Sequence, residues 1–212
     1  MRFKYKLKHY FFNKYILPLF TKDRFYVSYD YKHKAIWYRN AKVATRTIHN
    51  VLKNQSADGS YVYGLEAGFD VSKFSDFYKF AFVRNPESRL LSGWNDKVVH
   101  SNYFEFSAEQ HHNMKTLGHF LEWLEQQDKK QLDKHFRLQH LLIEHAQLDF
   151  LGRFENFNAD FEHVKNKIGL THTEVPHLNK SKRETIKLNS EERDLIRKIY
   201  AEDYKLFYPE LL

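Results

Sequence analysis

The segment Ala35-Ile36-Trp37-Tyr38-Arg39-Asn40-Ala41-Lys42-Val43-Ala44-Thr45-Arg46-Thr47-Ile48-His49-Asn50-Val51-Leu52 joins a short apolar run to an amphipathic one. Ala35 to Tyr38 reads as a buried strand, because no polar position interrupts it. Thr45 to Leu52 reads as a helix, with Ile48 and Leu52 four apart and Val51 beside them. Between them lies a polar loop, so the order is strand, loop, helix. A loop of this kind ends on the free N–H groups and positive dipole end of a helix. Lys42 adds a point charge, Arg46 a bidentate fork, and Thr45 and Thr47 hydroxyl donors. Together these describe an anion cradle. A Walker loop is excluded, since G-x-x-x-x-G-K-[ST] is absent. The plainer alternative is an ordinary capped helix with solvated basic residues.

Another strand precedes this segment, and the same order recurs twice after it. Arg24 to Tyr29 reads as a strand, followed by a polar turn at residues 30–34. Lys79 to Val83 is an apolar strand ended by Arg84-Asn85-Pro86. There Asn85 can cap a helix, Pro86 takes its first position and Glu87 complements its dipole. Leu90, Leu91, Trp94 and Val98 follow at helical spacing. Leu148 to Gly152 is a third apolar run. Phe157, Phe161, Val164 and Ile168 then mark a helix stopped by Gly169. Three strands, each leading to a helix, predict an α/β fold with a central, mostly parallel sheet flanked by helices. Ligands in such sheets bind at the carboxyl ends of the strands. Leu117 to Leu124 and the His-rich stretch Leu132 to Gln147 also read as helical. Residues 170–188 read as a polar loop, and Asn189 or Ser190 caps a final helix whose apolar face runs from Leu195 to Phe207.

The 212 residues suit one domain with a real core. Residues 24–212 are expected to form it, with residues 1–23 as a basic-aromatic segment packed on or near it. Aromatics make up 17 % of the chain, with only 7 Gly and 4 Pro, which excludes a disordered or collagen-like chain. Zero Cys excludes a disulfide scaffold and a Cys-based zinc site. Lys and Arg number 34 against 27 Asp and Glu, a net charge of +7 that points to an anionic partner. No apolar run is long enough to span a membrane. The basic start, Met1-Arg2-Phe3-Lys4-Tyr5-Lys6-Leu7-Lys8, lacks the features of a signal peptide. It suits either a helix packed on the domain or a peripheral membrane contact.

Other residues gather near the expected strand ends. Arg84 follows the second strand, and Ser88 and Ser92 share one face of the next helix, which suits a second phosphate-reading site. An Arg salt bridge beside a small-residue packing face is the alternative. Arg153 and Glu155 lie just past the third strand, and a polar, basic loop spans Pro176 to Arg183. His100, His111, His112, His119, His135, His140 and His145 crowd the middle of the chain. His-Glu-x-x-His is absent and a spacing of five is poor for shared ligands on one helix face, so no metal site is expected. A general base among these residues fits better.

Taken together, these blocks resemble the carbohydrate sulfotransferases that use 3′-phosphoadenosine 5′-phosphosulfate, in particular the chondroitin/dermatan-type Golgi branch and its bacterial relatives. The loop Asn40 to Thr47 is similar to the family's first motif, with Ala41 where Pro is usual. Phe82-Val83-Arg84-Asn85-Pro86-Glu87-Ser88-Arg89-Leu90-Leu91-Ser92 closely resembles the second. Leu148 to Glu155 and His177-Leu178-Asn179-Lys180-Ser181 resemble two later ones. The similarity runs from about Phe25 to Pro209, with the four motifs in order.

The resemblance implies a single P-loop-like sulfotransferase domain moving a sulfuryl group in line to a glycan hydroxyl, with 3′-phosphoadenosine 5′-phosphate as product and no metal required. Lys42 and the amides of Val43, Ala44, Thr45, Arg46 and Thr47 would hold the 5′-phosphosulfate, with Lys42 also catalytic. Arg84 and Ser92 would bind the 3′-phosphate, and Lys180 and Ser181 would add cofactor contacts. Arg137 and Arg153 would meet the acceptor. His135, in Asp133-Lys134-His135-Phe136-Arg137-Leu138-Gln139, resembles a family His-Trp-x-Pro-Gln segment and is the first choice for general base; His100 is the second. Golgi members carry an anchor and Cys, so the implied enzyme is bacterial and cytoplasmic, with room for a peripheral contact at the inner membrane. The partner implied is a glycan or polysaccharide and not nucleic acid. Two other classes stay open: a kinase-like phosphotransferase, which would need the missing Walker loop, and a non-catalytic module for nucleotides or polyanions.

Overall fold

A computed structural model describes residues 11–12, 15–16, 19–20, 24–56, 59–67, 74–170 and 186–212. The strands are β1 (Phe25–Asp30), β2 (Ala35–Tyr38), β3 (Tyr61–Ala67), β4 (Tyr78–Val83) and β5 (Phe150–Arg153). The helices are α1 (Thr45–Gln55), α2 (Pro86–Trp94), α3 (Ala108–Met114), α4 (Leu117–Gln126), α5 (Phe157–Lys167), α6 (Ser190–Ile199) and α7 (Ala201–Phe207). The chain forms two compact units, one within Met1–Val83 and Leu141–Lys180, the other within Arg84–His140 and Ser181–Leu212.

The first unit holds the whole sheet, in the order β3-β1-β2-β4-β5. β2 pairs with β4, and β4 with β5, in parallel. β1 is antiparallel to both its neighbours, β2 and β3. Four strands therefore run one way and β1 alone opposes them, giving the mostly parallel α/β sheet that the apolar runs predict. The core on one face sets Trp37, Phe80 and Phe82 against Ile48, Val51 and Leu52 of α1 and Phe161 and Val164 of α5. Trp37 and Phe80 lie nearly parallel, 6.5 Å between centroids, and Phe161 meets Phe82 edge-on at 6.2 Å.

The β1–β2 turn is organised by the buried Asp30. Its carboxylate accepts the N–H groups of Lys32 and His33, each at 3.2 Å, and the Ser56 hydroxyl at 3.0 Å. β3 is absent from the sequence reading. It joins the edge through a register irregularity between Tyr26 and Ser28 of β1. There Gly64 lies so close to the Val27 carbonyl that a Cβ would sit 1.9 Å from its oxygen. β5 begins at Phe150, later than the apolar run suggests. Asp149 is diverted to β4, its N–H donating to the Lys79 carbonyl (2.8 Å) and its carboxylate accepting the Lys79 N–H (2.7 Å).

In the second unit, α2 starts as its sequence dictates. Asn85 accepts the Ser88 N–H at 3.0 Å and Pro86 occupies the first turn. The helix runs on through a π-helical turn, Asn95–Val99. Two expectations fail here. The final helix is two, α6 and α7, broken at Tyr200, whose buried hydroxyl donates to the Phe136 carbonyl at 2.8 Å. Leu132 to Gln147 is not a helix but turns and two short 3₁₀ segments, Gln139–Leu141 and His145–Gln147. Its polar groups are claimed from outside the segment. The fully buried Arg89 donates to the carbonyls of Lys134 and Arg137, both at 2.9 Å. Asp203 accepts the N–H groups of Gln139 (2.7 Å) and His140 (3.0 Å). A helix would need those same groups for itself.

Gly152 faces Phe82 across the β4–β5 ladder, where a Cβ would lie 2.4 Å from the ring. Gly152→Ala should therefore destabilise the fold by about 1–3 kcal/mol in denaturant unfolding. The double variant with Phe82→Leu should recover part of that loss. No recovery would mean that this contact is not what limits the site.

Candidate functional site

β2, β4 and β5 end along one edge of the first unit's sheet, and the loop Arg39 to Ala44 leaves β2 there. Its base is tied down on both sides. The Arg39 N–H donates to the Tyr26 carbonyl at 2.7 Å, and its guanidinium donates to the Gly64 carbonyl and lies 3.7 Å from the Tyr63 ring centroid. Asn40 is buried, and its amide reaches the Phe82 carbonyl on β4 at 3.4 Å. The Thr45 hydroxyl closes the loop by donating to the Asn40 carbonyl at 2.7 Å.

The turn itself is made by two residues in the left-handed region, Lys42 (φ 69°) and Ala44 (φ 60°). Left-handed residues within a short loop swing successive N–H groups toward one side, as in anion-binding nests. Ala44 occupies the N-cap of α1 with no side-chain cap hydrogen bond and no acidic residue in the first turn. Its carbonyl takes the N–H groups of Thr47 (2.9 Å) and Ile48 (3.2 Å). The Thr45 and Arg46 amides stand at the first helical positions, where the helix offers them no acceptor. Val43 is buried and pins the loop to the core, Lys42 is half-buried and Arg46 is exposed. The donor set fits a tetrahedral anion. Arg153, which ends β5 opposite Val83 of β4, lies on this same edge and is half-buried, its N–H given to Asp160 at 2.6 Å.

The second unit opens with Arg84, immediately after β4. Arg84 is buried, and its backbone is clamped by Gln139, whose amide accepts the Arg84 N–H (2.9 Å) and donates to its carbonyl (2.8 Å). Its Nε donates to the Ser88 hydroxyl at 2.9 Å. Ser92 stands one turn further along α2, half-buried. Ser88 is thus the direct partner of Arg84, a role the sequence shows only as a shared helix face.

Two His–carboxylate pairs lie in this unit. His135 Nδ1 is 2.6 Å from Asp133, which also accepts the His135 N–H (2.9 Å) and the Tyr103 hydroxyl (3.1 Å). Burial works to raise the Asp133 carboxyl, but these hydrogen bonds outweigh it and bring it down to about 2. At neutral pH Asp133 can only accept, so the hydrogen bond places a proton on His135 Nδ1 and leaves Nε2 as the ring nitrogen not engaged by Asp133. The second pair is His140 and the fully buried Asp203, with Nδ1 2.8 Å from the carboxylate. Asp203 is 63 residues away, and no local pattern could have paired it with His140. His100 is exposed at the end of the π-helical turn. Arg137 is half-buried, its Nε donating to the Leu132 carbonyl at 2.8 Å.

Lys180 and Ser181, with the loop Pro176 to Arg183, lie outside the described residues, as do most of residues 1–23. Among the described residues no group of His, Asp and Glu is arranged to hold a metal ion, and no helix is long and apolar enough to cross a membrane.

Left-handed backbone at a residue with a Cβ costs roughly 1–2 kcal/mol. Ala44→Gly should therefore stabilise the fold, by about 0.5–1 kcal/mol after the entropy of the unfolded glycine is offset. Ala44→Val should destabilise it, because a β-branched residue resists this conformation. The reverse order in thermal unfolding would contradict the loop geometry.

A search of curated proteins and one of solved structures find no match for the chain. A family model does match, over residues 11–209, which spans the loop at Lys42, the Arg84 block and the two His–Asp pairs of the second unit. The match spans nearly the whole chain, which belongs to the Sulfotransferase family.

Proposed function

We propose that the chain moves a sulfuryl group from 3′-phosphoadenosine 5′-phosphosulfate to a hydroxyl of a glycan or polysaccharide. The observation that carries this reading is the loop at Lys42 to Ala44, which presents uncapped helix amides beside a lysine and suits a phosphosulfate. The acceptor class rests on the resemblance of the sequence blocks to carbohydrate sulfotransferases.

When bound, the cofactor supplies an activated sulfuryl group, whose bond to the 5′-phosphate breaks as the acceptor oxygen bonds to sulfur. The chain's own part is positioning and charge stabilisation. The Thr45 and Arg46 amides and the positive end of α1 hold the anionic oxygens. Lys42 Nζ offsets the charge that develops on the departing phosphate. Arg84, held rigid by Gln139 and Ser88, takes the 3′-phosphate with Ser92, and Lys180 and Ser181 add cofactor contacts. Arg137 and Arg153 meet the acceptor. His135 Nε2 takes the acceptor hydroxyl proton, while the Asp133 carboxylate fixes the ring and stabilises the imidazolium that results. The reading places the chain in the bacterial cytoplasm.

Saturating 3′-phosphoadenosine 5′-phosphate should raise the melting temperature, since a hundredfold excess over Kd stabilises a native state by about 2.7 kcal/mol. An unchanged melting curve would sink the cofactor assignment. Lys42→Ala should cut sulfate transfer to a panel of defined glycans by about 10²–10³-fold with the fold intact; full activity would remove Lys42 from the mechanism.

The base is tested by single variants. His135→Ala should lower kcat by about 10²-fold or more. Asp133→Asn should lower kcat while leaving the KM for the cofactor unchanged, as expected of a group that orients the base. His100→Ala and His140→Ala should keep turnover. Loss confined to His140→Ala would transfer the role to the His140–Asp203 pair.

A further inference from the structure

The positive charge of the chain is not spread over it. Residues 1–24 contain seven Lys or Arg against the single Asp23, while residues 25–212 contain 27 Lys or Arg against 26 Asp or Glu. Six of the seven net charges thus belong to the first 24 residues, where Arg2, Lys4, Lys6 and Lys8 alternate with Phe3, Tyr5 and Leu7. The same segment exposes apolar surface. Phe11 is 61 % exposed, Leu19 78 % and Phe20 81 %. Among the described residues outside this segment, Leu212 is the only large apolar side chain more than half exposed. The Phe11 ring lies 5.6 Å from that of Tyr15, itself 52 % exposed.

We propose that residues 1–24 dock the chain on an anionic lipid surface, with Phe11, Leu19 and Phe20 entering the headgroup boundary and the basic residues meeting the lipid phosphates. Aromatic and aliphatic side chains set among Lys and Arg suit the membrane interface, where apolar groups leave water while cations stay in it. Anionic headgroups supply the complementary charge, over a range limited by salt. The segment lies on the surface rather than crossing it, because Asn13, Lys14 and Pro18 interrupt its apolar run. Single-stranded nucleic acid is the competing polyanion, but it is held by stacking on aromatic rings, which leaves the exposed Leu19 unexplained. The proposal is independent of sulfuryl transfer and places the near-neutral remainder of the chain at a membrane without asking it to bind lipid.

The test is co-sedimentation of the full chain with vesicles of phosphatidylcholine alone or mixed with phosphatidylglycerol. Binding should be at least about tenfold tighter to the mixed vesicles and weaken as salt rises. Phe11→Ser/Leu19→Ser/Phe20→Ser and, separately, Lys4→Gln/Lys6→Gln/Lys8→Gln should each lower vesicle binding at least about tenfold. Both variants should keep the wild-type melting temperature and its response to 3′-phosphoadenosine 5′-phosphate, so a failed cofactor reading and a failed docking reading give different results. Failure of the wild-type chain to pellet with anionic vesicles overturns the proposal. So does equal binding by wild type and the serine variant, or binding to single-stranded DNA with none to vesicles.

Discussion

Asn40 ties the loop after β2 to the next strand: its amide reaches the Phe82 carbonyl of β4 while its own carbonyl receives the Thr45 hydroxyl. The chain must leave a fully buried strand and enter a helix whose Ile48, Val51 and Leu52 are also buried. Only the six residues Arg39 to Ala44 make that turn, without a glycine among them. The left-handed backbone at Lys42 and Ala44 is the consequence, and strain of this kind persists only where the surroundings over-determine it. Arg39 on its aromatic bed and Val43 in the core supply that determination. The amides left facing outward at the start of α1 are what an anion can use.

The two units hold their functional groups by different means. In the first, an apolar core around Trp37, Phe80 and Phe82 fixes the strand ends, and the loop inherits their precision. In the second, a buried polar hub does the work. Arg89, Tyr200, Gln139 and Asp203 reach the backbone of residues 134–140 and of Arg84. A segment shaped by such contacts can present His135 and His140 at fixed angles without regular secondary structure. The arrangement is also brittle, because removing one partner leaves a buried polar group unsatisfied.

The net charge of +7 suggests at first a basic protein drawn to polyanions. Its placement changes that reading. Residues 25–212 are almost neutral, so the anion binding proposed there would rest on a few cations beside oriented amides rather than on a broad electrostatic field. The excess positive charge belongs to the first 24 residues, which also hold Leu19 and Phe20, the two most exposed large apolar side chains among the described residues.

What the sequence determined by itself was everything governed by near neighbours. The alternation of apolar runs and amphipathic stretches set β1, β2, β4, α1, α2 and α5. Asn85, Pro86 and Glu87 marked the start of α2, and the order of the motifs pointed to a sulfotransferase. Asp133 and His135 stand two residues apart, so even that pair was within reach. Tertiary structure alone decided the rest. β3 depends on a bulge opposite Val27 that Gly64 permits, a fact about two strands and not one. Leu132 to Gln147 has helical spacing, yet Arg89 and Asp203 withdraw the backbone groups a helix needs. The His140–Asp203 pair spans 63 residues. The left-handed turn at Lys42 and Ala44 has no glycine to announce it, because its conformation is imposed by what holds its ends. Local propensity costs less than a few kcal/mol to override, and a buried hydrogen bond or a packed ring supplies that much from far along the chain.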